Sequence, residues 1–259
     1  MKPKTEEFLT FLLWTAELLS RPTFRNLTDS YEAWAYRKGF LRQVGALKEN
    51  GLLEHKPGTN DRIYRLTEVG RVQALGGRDP AIQWARRWDG RWRLVLFDVP
   101  TPQNARREQI RRFLKSKFLG CVQGSVWVSP DPLQEIRETL EGGSINVKSL
   151  ILFEATPLGG ESDAEIAAGA WDFDEINRRY TEHMKILDQL PAAPVRDAAA
   201  AKALQRWGAA ERAAWLAAVA KDPLLPQALL PADYLGRQAW RKRIQVLGNA
   251  GEQLQSFQP

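Results

Sequence analysis

Over the first fifty positions the apolar residues recur at helical spacing. Phe8, Leu9, Leu12, Leu13, Ala16 and Leu19 make one stripe across 5–19. Thr5 is a candidate N-cap, and Glu6 and Glu7 suit the positive end of the helix dipole. A short second helix is expected near 27–32. A third, over 35–49, places Phe40, Leu41, Val44 and Leu47 on one side, with Gly51 as its stop signal. The pattern then shortens its period. Residues 52–56 and 62–66 read as strands joined by Pro57-Gly58-Thr59-Asn60-Asp61, whose Gly, Asn and Asp give a hairpin turn its backbone freedom. A helix from Thr67 to about Leu75 closes the segment. Three helices, a hairpin and a basic third helix over 1–78 predict a winged helix-turn-helix.

Gly76-Gly77-Arg78-Asp79-Pro80 reads as a linker-like break. Residues 93–99 are strongly strand-like and end at Pro100. A helix is expected over 101–118, with Ile110, Phe113, Leu114 and Phe118 toward a core. Arg107, Arg111 and Lys115 form a basic stripe on it at i, i+4 and i+8. Residues 121–123 and 126–129 suggest a hairpin about Gly124. A helix opened by Pro132 covers 131–141, and a last strand covers 149–155. The order βαββαβ predicts a ferredoxin-like domain over 84–156. Residues 156–170 read as a connector. Helices are expected over 174–190, 195–220 and 234–247, giving a C-terminal helical domain over 165–250 and a frayed last dozen residues. The predicted fold class is therefore α+β.

Composition narrows the function. With 259 residues, 44% hydrophobic and 26% charged, the chain is an ordinary globular protein and not a disordered one. The single cysteine, Cys121, excludes an intrachain disulfide and fits a reducing compartment. His55 and His183 are far apart, which excludes zinc fingers and His-rich metal sites and leaves a carboxylate-held metal open. No run approaches the ~18 apolar residues of a membrane span. The N-terminal apolar stretch is preceded by Glu6 and Glu7 and cut by Glu17, unlike a secretory segment. The expectation is a soluble cytoplasmic protein with no cofactor, no bound metal and no membrane partner.

The net charge of +6 is unevenly placed. Residues 81–120 carry ten basic and three acidic groups, whereas 121–160 carry two and five. Residues 161–259 are near neutral, with twelve and thirteen. A basic first half points to nucleic acid. On the third helix, Arg37, Lys38 and Arg42 suit phosphates or guanine edges, Gln43 suits adenine, and Tyr36 suits a phosphate. On the hairpin, His55, Lys56, Thr59, Asn60 and Arg62 suit the DNA backbone or minor groove. Each of these taken alone also reads as a solvated surface residue. Arg107, Arg111 and Lys115 suit DNA phosphate or an anionic effector.

Ten tryptophans is a high count, and those among the arginines of 84–93 have two readings. They can stack bases, or they can pack at small cores and domain junctions; packing is favoured. Asp98, at the end of a buried strand, is either a cap for the following helix or a carboxylate of a metal-dependent nuclease. Ser125 and Ser129 lack a nearby His, and no phosphate-cradling glycine loop is present, so no catalytic residue is assigned.

Four stretches carry a family resemblance. They are Arg62-Ile63-Tyr64-Arg65-Leu66-Thr67-Glu68-Val69-Gly70, and Trp88-Asp89-Gly90-Arg91-Trp92-Arg93 running through Phe97-Asp98-Val99-Pro100 to Ser125-Val126-Trp127-Val128-Ser129-Pro130. After them come Ala170-Trp171-Asp172-Phe173 with Tyr180, and Asp222-Pro223-Leu224-Leu225-Pro226 with Leu229-Leu230-Pro231 and Asp233-Tyr234. In this order they resemble the phenylacetic-acid degradation repressors, the PaaX-type transcriptional regulators. The resemblance implies a winged helix, a central domain similar to the small CRISPR adaptation endonucleases and a helical C-terminal domain. It also implies a homodimeric repressor on a palindromic double-stranded DNA operator, released by an acyl- or aryl-CoA thioester. In the third helix Phe40-Leu41-Arg42-Gln43-Val44-Gly45-Ala46-Leu47 stands where the family carries arginine-rich text. The usual arginine places fall near Leu41 and Ala46, which implies a different operator. Three classes follow: a ligand-released repressor, a metal-dependent nuclease using Asp98, and a DNA-binding scaffold without ligand.

Overall fold

The computed structural model describes residues 41–55, 64–99, 104–142, 149–191 and 198–255. The helices expected over 5–19 and 27–32, and the hairpin turn, lie outside them. The described chain forms two compact units. One takes the residues up to Asp79 together with 178–220 and those from 235 onward. The other takes 80–177 and 221–234.

Within the described residues of the first unit, the first element is helix α1 (Leu41–Glu49). Gly51, at φ 68°, ends it in a Schellman closure. The Gly51 amide donates to the Lys48 carbonyl at 2.9 Å, and the Leu52 amide donates to the Leu47 carbonyl at 2.8 Å. Strands β1 (Leu53–His55) and β2 (Tyr64–Leu66) pair antiparallel, with Leu53 opposite Leu66 and His55 opposite Tyr64. Helix α2 (Glu68–Ala74) follows. It closes in the same way: Gly76, at φ 95°, donates to Gln73 at 3.2 Å, and Gly77 donates to Val72 at 2.9 Å. The expected linker is thus a capped helix end. Asp79, just beyond it, is buried and paired with Arg71 at 2.7 Å.

The second unit opens with α3 (Pro80–Ala85) and β3 (Trp92–Asp98). Then come α4 (Asn104–Ser116), β4 (Gly120–Gln123), β5 (Val126–Ser129), α5 (Gln134–Gly142) and β6 (Ser149–Ala155). The strands form one antiparallel sheet in the order β4-β5-β3-β6. This is the split βαββαβ connectivity expected from the sequence. Alternation along each strand sorts the side chains. Val95, Phe97 and Trp127 face Ile110 and Leu114 of α4 and Ile136 of α5 in one core. Burying each large apolar side chain contributes about 1.5–3 kcal/mol. The opposite face carries Leu94 and Leu96, whose cross-strand neighbours on β6 are Phe153 and Ile151.

Residues 156–170, expected as a connector, contain helix α6 (Asp163–Ala170). The helix is set by a capping box: Ser162 and Glu165 exchange side-chain and backbone hydrogen bonds. It covers one end of the open sheet face. Trp92 Nε1 donates to Asp163 at 2.8 Å, and the Trp92 and Trp171 rings lie 6.3 Å apart. Gly120 lets this cover approach, since a Cβ there would stand 2.7 Å from Ala170 Cβ. The segment 221–234 belongs to this unit. Asp222 is buried and accepts from the Leu224 amide at 2.8 Å and from the Tyr234 hydroxyl. That hydroxyl in turn accepts from Trp84 Nε1 at 3.1 Å.

Three long helices complete the chain: α7 (Phe173–Leu187), within which the two units divide, α8 (Ala198–Val219) and α9 (Gly236–Gln255). Leu187, Leu204, Trp207, Leu247 and Ala250 make their shared core. Helix α9 runs eight residues past Leu247, where fraying was expected. Among the described residues, no helix is long and apolar enough to cross a membrane.

Candidate nucleic-acid interface

Local rules fix the junction between the hairpin and α2. Thr67 caps the helix: its Oγ1 accepts the Gly70 amide at 3.0 Å and donates to the Gly51 carbonyl at 2.7 Å. The Thr67 amide donates to the Leu52 carbonyl at 3.1 Å. Gly70 is buried, and a Cβ on it would stand 2.2 Å from the Leu52 oxygen, so only glycine fits. The Leu66-Thr67-x-x-Gly70 text therefore has a mechanical reason: it ties the hairpin, the end of α1 and the start of α2 together. Arg71 pairs with Glu68 at 2.8 Å. Its hydrogen bond, and then its charge, hold the Glu68 carboxyl below the usual range.

Of the predicted DNA contacts, Arg42 and Gln43 fall at the start of α1. Tyr36, Arg37, Lys38, Lys56, Asn60 and Arg62 lie outside the described residues. His55 closes β1 opposite Tyr64.

The basic stripe lies along α4. Arg107 Nη2 donates to the Val99 carbonyl at 2.7 Å and so holds the end of β3. Arg111 Nη1 donates to Glu108 at 2.8 Å, and its Nη2 reaches the Gly124 carbonyl of the β4–β5 turn at 3.4 Å. Lys115 is exposed. The two arginines thus also serve the fold, while Lys115 extends into solvent. Asp98 is exposed at the end of β3, opposite Ser149. Ser129 is buried and accepts the Asp131 amide at 3.0 Å. Among the described residues, no three His, Cys, Asp or Glu gather as a metal site.

The tryptophans of 84–92 pack and satisfy their N–H groups within the protein. Trp84 and Trp92 are buried and bonded as above, and Trp88 Nε1 donates to the Arg91 carbonyl at 3.1 Å. Gly90, at φ 79°, turns the chain so that Arg93 forks onto Asp89. Hydrogen bonds from Arg93, against the opposing effect of burial, pull the Asp89 carboxyl down to about 2.

A second polar group, missed in the sequence, lies among the long helices. Glu211 of α8 accepts from His183 Nε2 of α7 at 2.9 Å and from Arg243 Nε of α9 at 2.7 Å. Burial alone would raise the Glu211 carboxyl. The Arg243 charge and the bonds from His183 and Arg243 outweigh it and hold the group low. Arg243 lies 4.8 Å over the Trp215 ring and 5.8 Å over Trp240. The available signal is spacing: the buried Tyr180, His183 and Leu187 recur at i, i+3 and i+7, and so do the half-buried Trp240 and the buried Arg243 and Leu247.

Comparison with known proteins places this geometry. Residues 85–167 match the PaaX protein central Cas2-like domain, and residues 171–255 match the PaaX-like protein C-terminal domain. The fold is also similar to that of the uncharacterized protein Rv0674 from Mycobacterium tuberculosis. That likeness has 20% identity and a TM-score of 0.46, and covers 85% of this chain and 82% of that one. Among curated proteins none matches. The two domain matches follow one another in order and together span well over half of the chain, including the sheet unit and the three long helices: this protein belongs to the PaaX-type family.

Proposed function

We propose that the protein is a sequence-specific DNA-binding transcriptional regulator of the cytoplasm, a dimeric repressor released by a small anionic effector such as an acyl- or aryl-CoA thioester. Family membership carries the reading, since PaaX-type domains are consistent with a transcriptional regulator. The succession α1, β1, β2, α2 supports a winged helix-turn-helix as the DNA-binding part, with Arg42 and Gln43 on its recognition helix. The open sheet face supports the homodimer. Ile151 and Phe153 are 49% and 51% exposed, and β6 is an edge strand, so a second copy has both apolar surface and backbone groups to pair with. No catalytic role is assigned to any residue.

The test is binding of the purified protein to a palindromic fragment from its own promoter region across a salt series. Log affinity is expected to fall linearly with log salt, and to exceed affinity for random DNA at physiological salt. Equal affinity for both DNAs would overturn the reading. The exposed position of Asp98 in a Cas2-like region favours, as a second reading, a Mg²⁺-dependent nuclease. That reading requires cutting that Asp98→Ala abolishes; no cutting in Mg²⁺ or Mn²⁺ removes it.

A further inference from the structure

Helix α4 carries Arg106, Arg107, Arg111, Arg112 and Lys115 against a single acid, Glu108. Two of these charges are partly used inside the unit. Arg107 holds the Val99 carbonyl, and Arg111 is shared between Glu108 and the Gly124 carbonyl. Arg112 and Lys115 differ from them: both are exposed, and neither pairs with an acidic group among the described residues. Elsewhere in the unit Arg86, Arg91 and Arg93 each pair with a carboxylate. Helix α5 packs on the same core as α4, yet its text has three glutamates to one arginine. Uncompensated positive charge is therefore gathered on the outer face of α4.

The form of that face selects its partner. Ala105, Glu108, Gln109, Arg112, Lys115 and Ser116 are all exposed, so this flank of the helix is convex. A small anion gains no enclosure there. An anionic bilayer requires apolar anchors beside the charges. On α4 the large apolar residues serve the core instead, with Ile110 and Leu114 buried and Phe113 packed against them. A DNA duplex requires neither enclosure nor anchors. Each of its strands offers one phosphate per about 3.4 Å of axis. From Arg107 to Lys115 the helix rises about 12 Å, a span of about three to four phosphates. Such contacts position a protein on DNA and carry no sequence information.

We propose that the outer face of α4, through Arg112 and Lys115, is a second, sequence-independent contact for the DNA backbone, separate from the recognition helix. For its regulatory use the face rests on the DNA-binding reading above; the contact itself is scored on DNA of arbitrary sequence.

The full-length protein and Arg112→Gln/Lys115→Gln are titrated by fluorescence anisotropy onto a labelled random duplex and onto the promoter palindrome, from about 50 to 200 mM salt. Each lost phosphate contact removes about 0.9 from the slope of log K against log salt. The double variant should bind both duplexes more weakly, with a slope shallower by about 1.8, so that its deficit shrinks about twelvefold across that range. Arg112→Lys/Lys115→Arg, which keeps both charges, should retain the wild-type slope. Lys185→Gln/Lys221→Gln removes the same charge from exposed sites off α4 and should leave the slope unchanged. No binding to the random duplex at the lowest salt, or an unchanged slope in the α4 glutamine variant, overturns the contact. An equal fall in the Lys185/Lys221 control also overturns it, since net charge would then suffice. Coenzyme A is titrated into both proteins by calorimetry. Its binding, lost in the α4 variant while the DNA slope stays put, would assign the face to a small anion and overturn the proposal. If the palindrome is bound no better than random DNA while the slope still falls on both, the sequence-specific reading fails and the face stands. If the preference for the palindrome holds and the slope does not move, only the face fails.

Discussion

Gly70 lies against the Leu52 carbonyl so closely that a Cβ would stand 2.2 Å from the oxygen. The neighbour is backbone and cannot rotate away. Gly70→Ala therefore pushes α2 off the hairpin and should destabilise by about 1–3 kcal/mol in urea unfolding. Val69→Ala, at a site 65% exposed, should stay within about 0.5 kcal/mol. Wild-type stability of the glycine variant would show that the junction yields freely.

The same junction depends on the Thr67 hydroxyl, which serves α2 as a cap and Gly51 as a donor. Thr67→Ala is expected to cost about 1 kcal/mol, and Thr67→Ser to recover most of it. If serine fails as badly as alanine, the methyl group and not the hydroxyl holds the joint.

On the sheet, Ile151→Asp combined with Phe153→Glu puts carboxylates on the face proposed for self-association. Sedimentation should show a monomer at concentrations where the wild type is dimeric, with unchanged far-ultraviolet circular dichroism. A persistent dimer would place the subunit contact elsewhere.

Arg37→Ala and Arg42→Ala should each weaken operator binding and lower the slope of log K against log salt by about one if the residue touches phosphate. A base contact instead relaxes the sequence preference at one position. Unchanged affinity in both variants would move DNA recognition off this helix.

Glu211 sets an acid limit. Its folded-state pKa is depressed, so its stabilisation is present above the unfolded glutamate value of about 4.3 and is lost as pH falls below it. Glu211→Gln leaves the Arg243 charge buried without its partner and should cost about 3–5 kcal/mol near neutral pH. The gap between variant and wild type should narrow as pH falls from about 5 to 3. A gap independent of pH would mean that the carboxylate acts by packing alone.

The sheet unit was legible in the sequence because its strands are short apolar runs bounded by Gly and Pro, and its helices carry apolar stripes. The βαββαβ order then follows from the succession of those elements, whereas the strand register comes from the structure. Helix α6 was not legible, because alanine, glycine and acid read as loop until Ser162 and Glu165 are seen three apart, as the two halves of a capping box. The DNA contacts expected on residues 36–38 and 56–62 fall outside the described residues. The buried polar cluster was hidden for a different reason. Arg241, Lys242 and Arg243 look alike in sequence, yet Arg241 is exposed, Lys242 reaches Asp188 at 2.6 Å and Arg243 is sealed among rings. Composition records a charge but not the side of the helix on which it falls.

The chain passes between its two compact units four times, at 79/80, 177/178, 220/221 and 234/235. No truncation from either end can therefore deliver one unit intact. A fragment that stops before Lys221 keeps all four strands of the large sheet. It strips Trp84 of the Tyr234 hydroxyl and Arg86 of the Leu224 carbonyl. Mapping by deletion would thus score damaged packing as lost function, and point substitutions in the whole chain are the sound way to divide its labour.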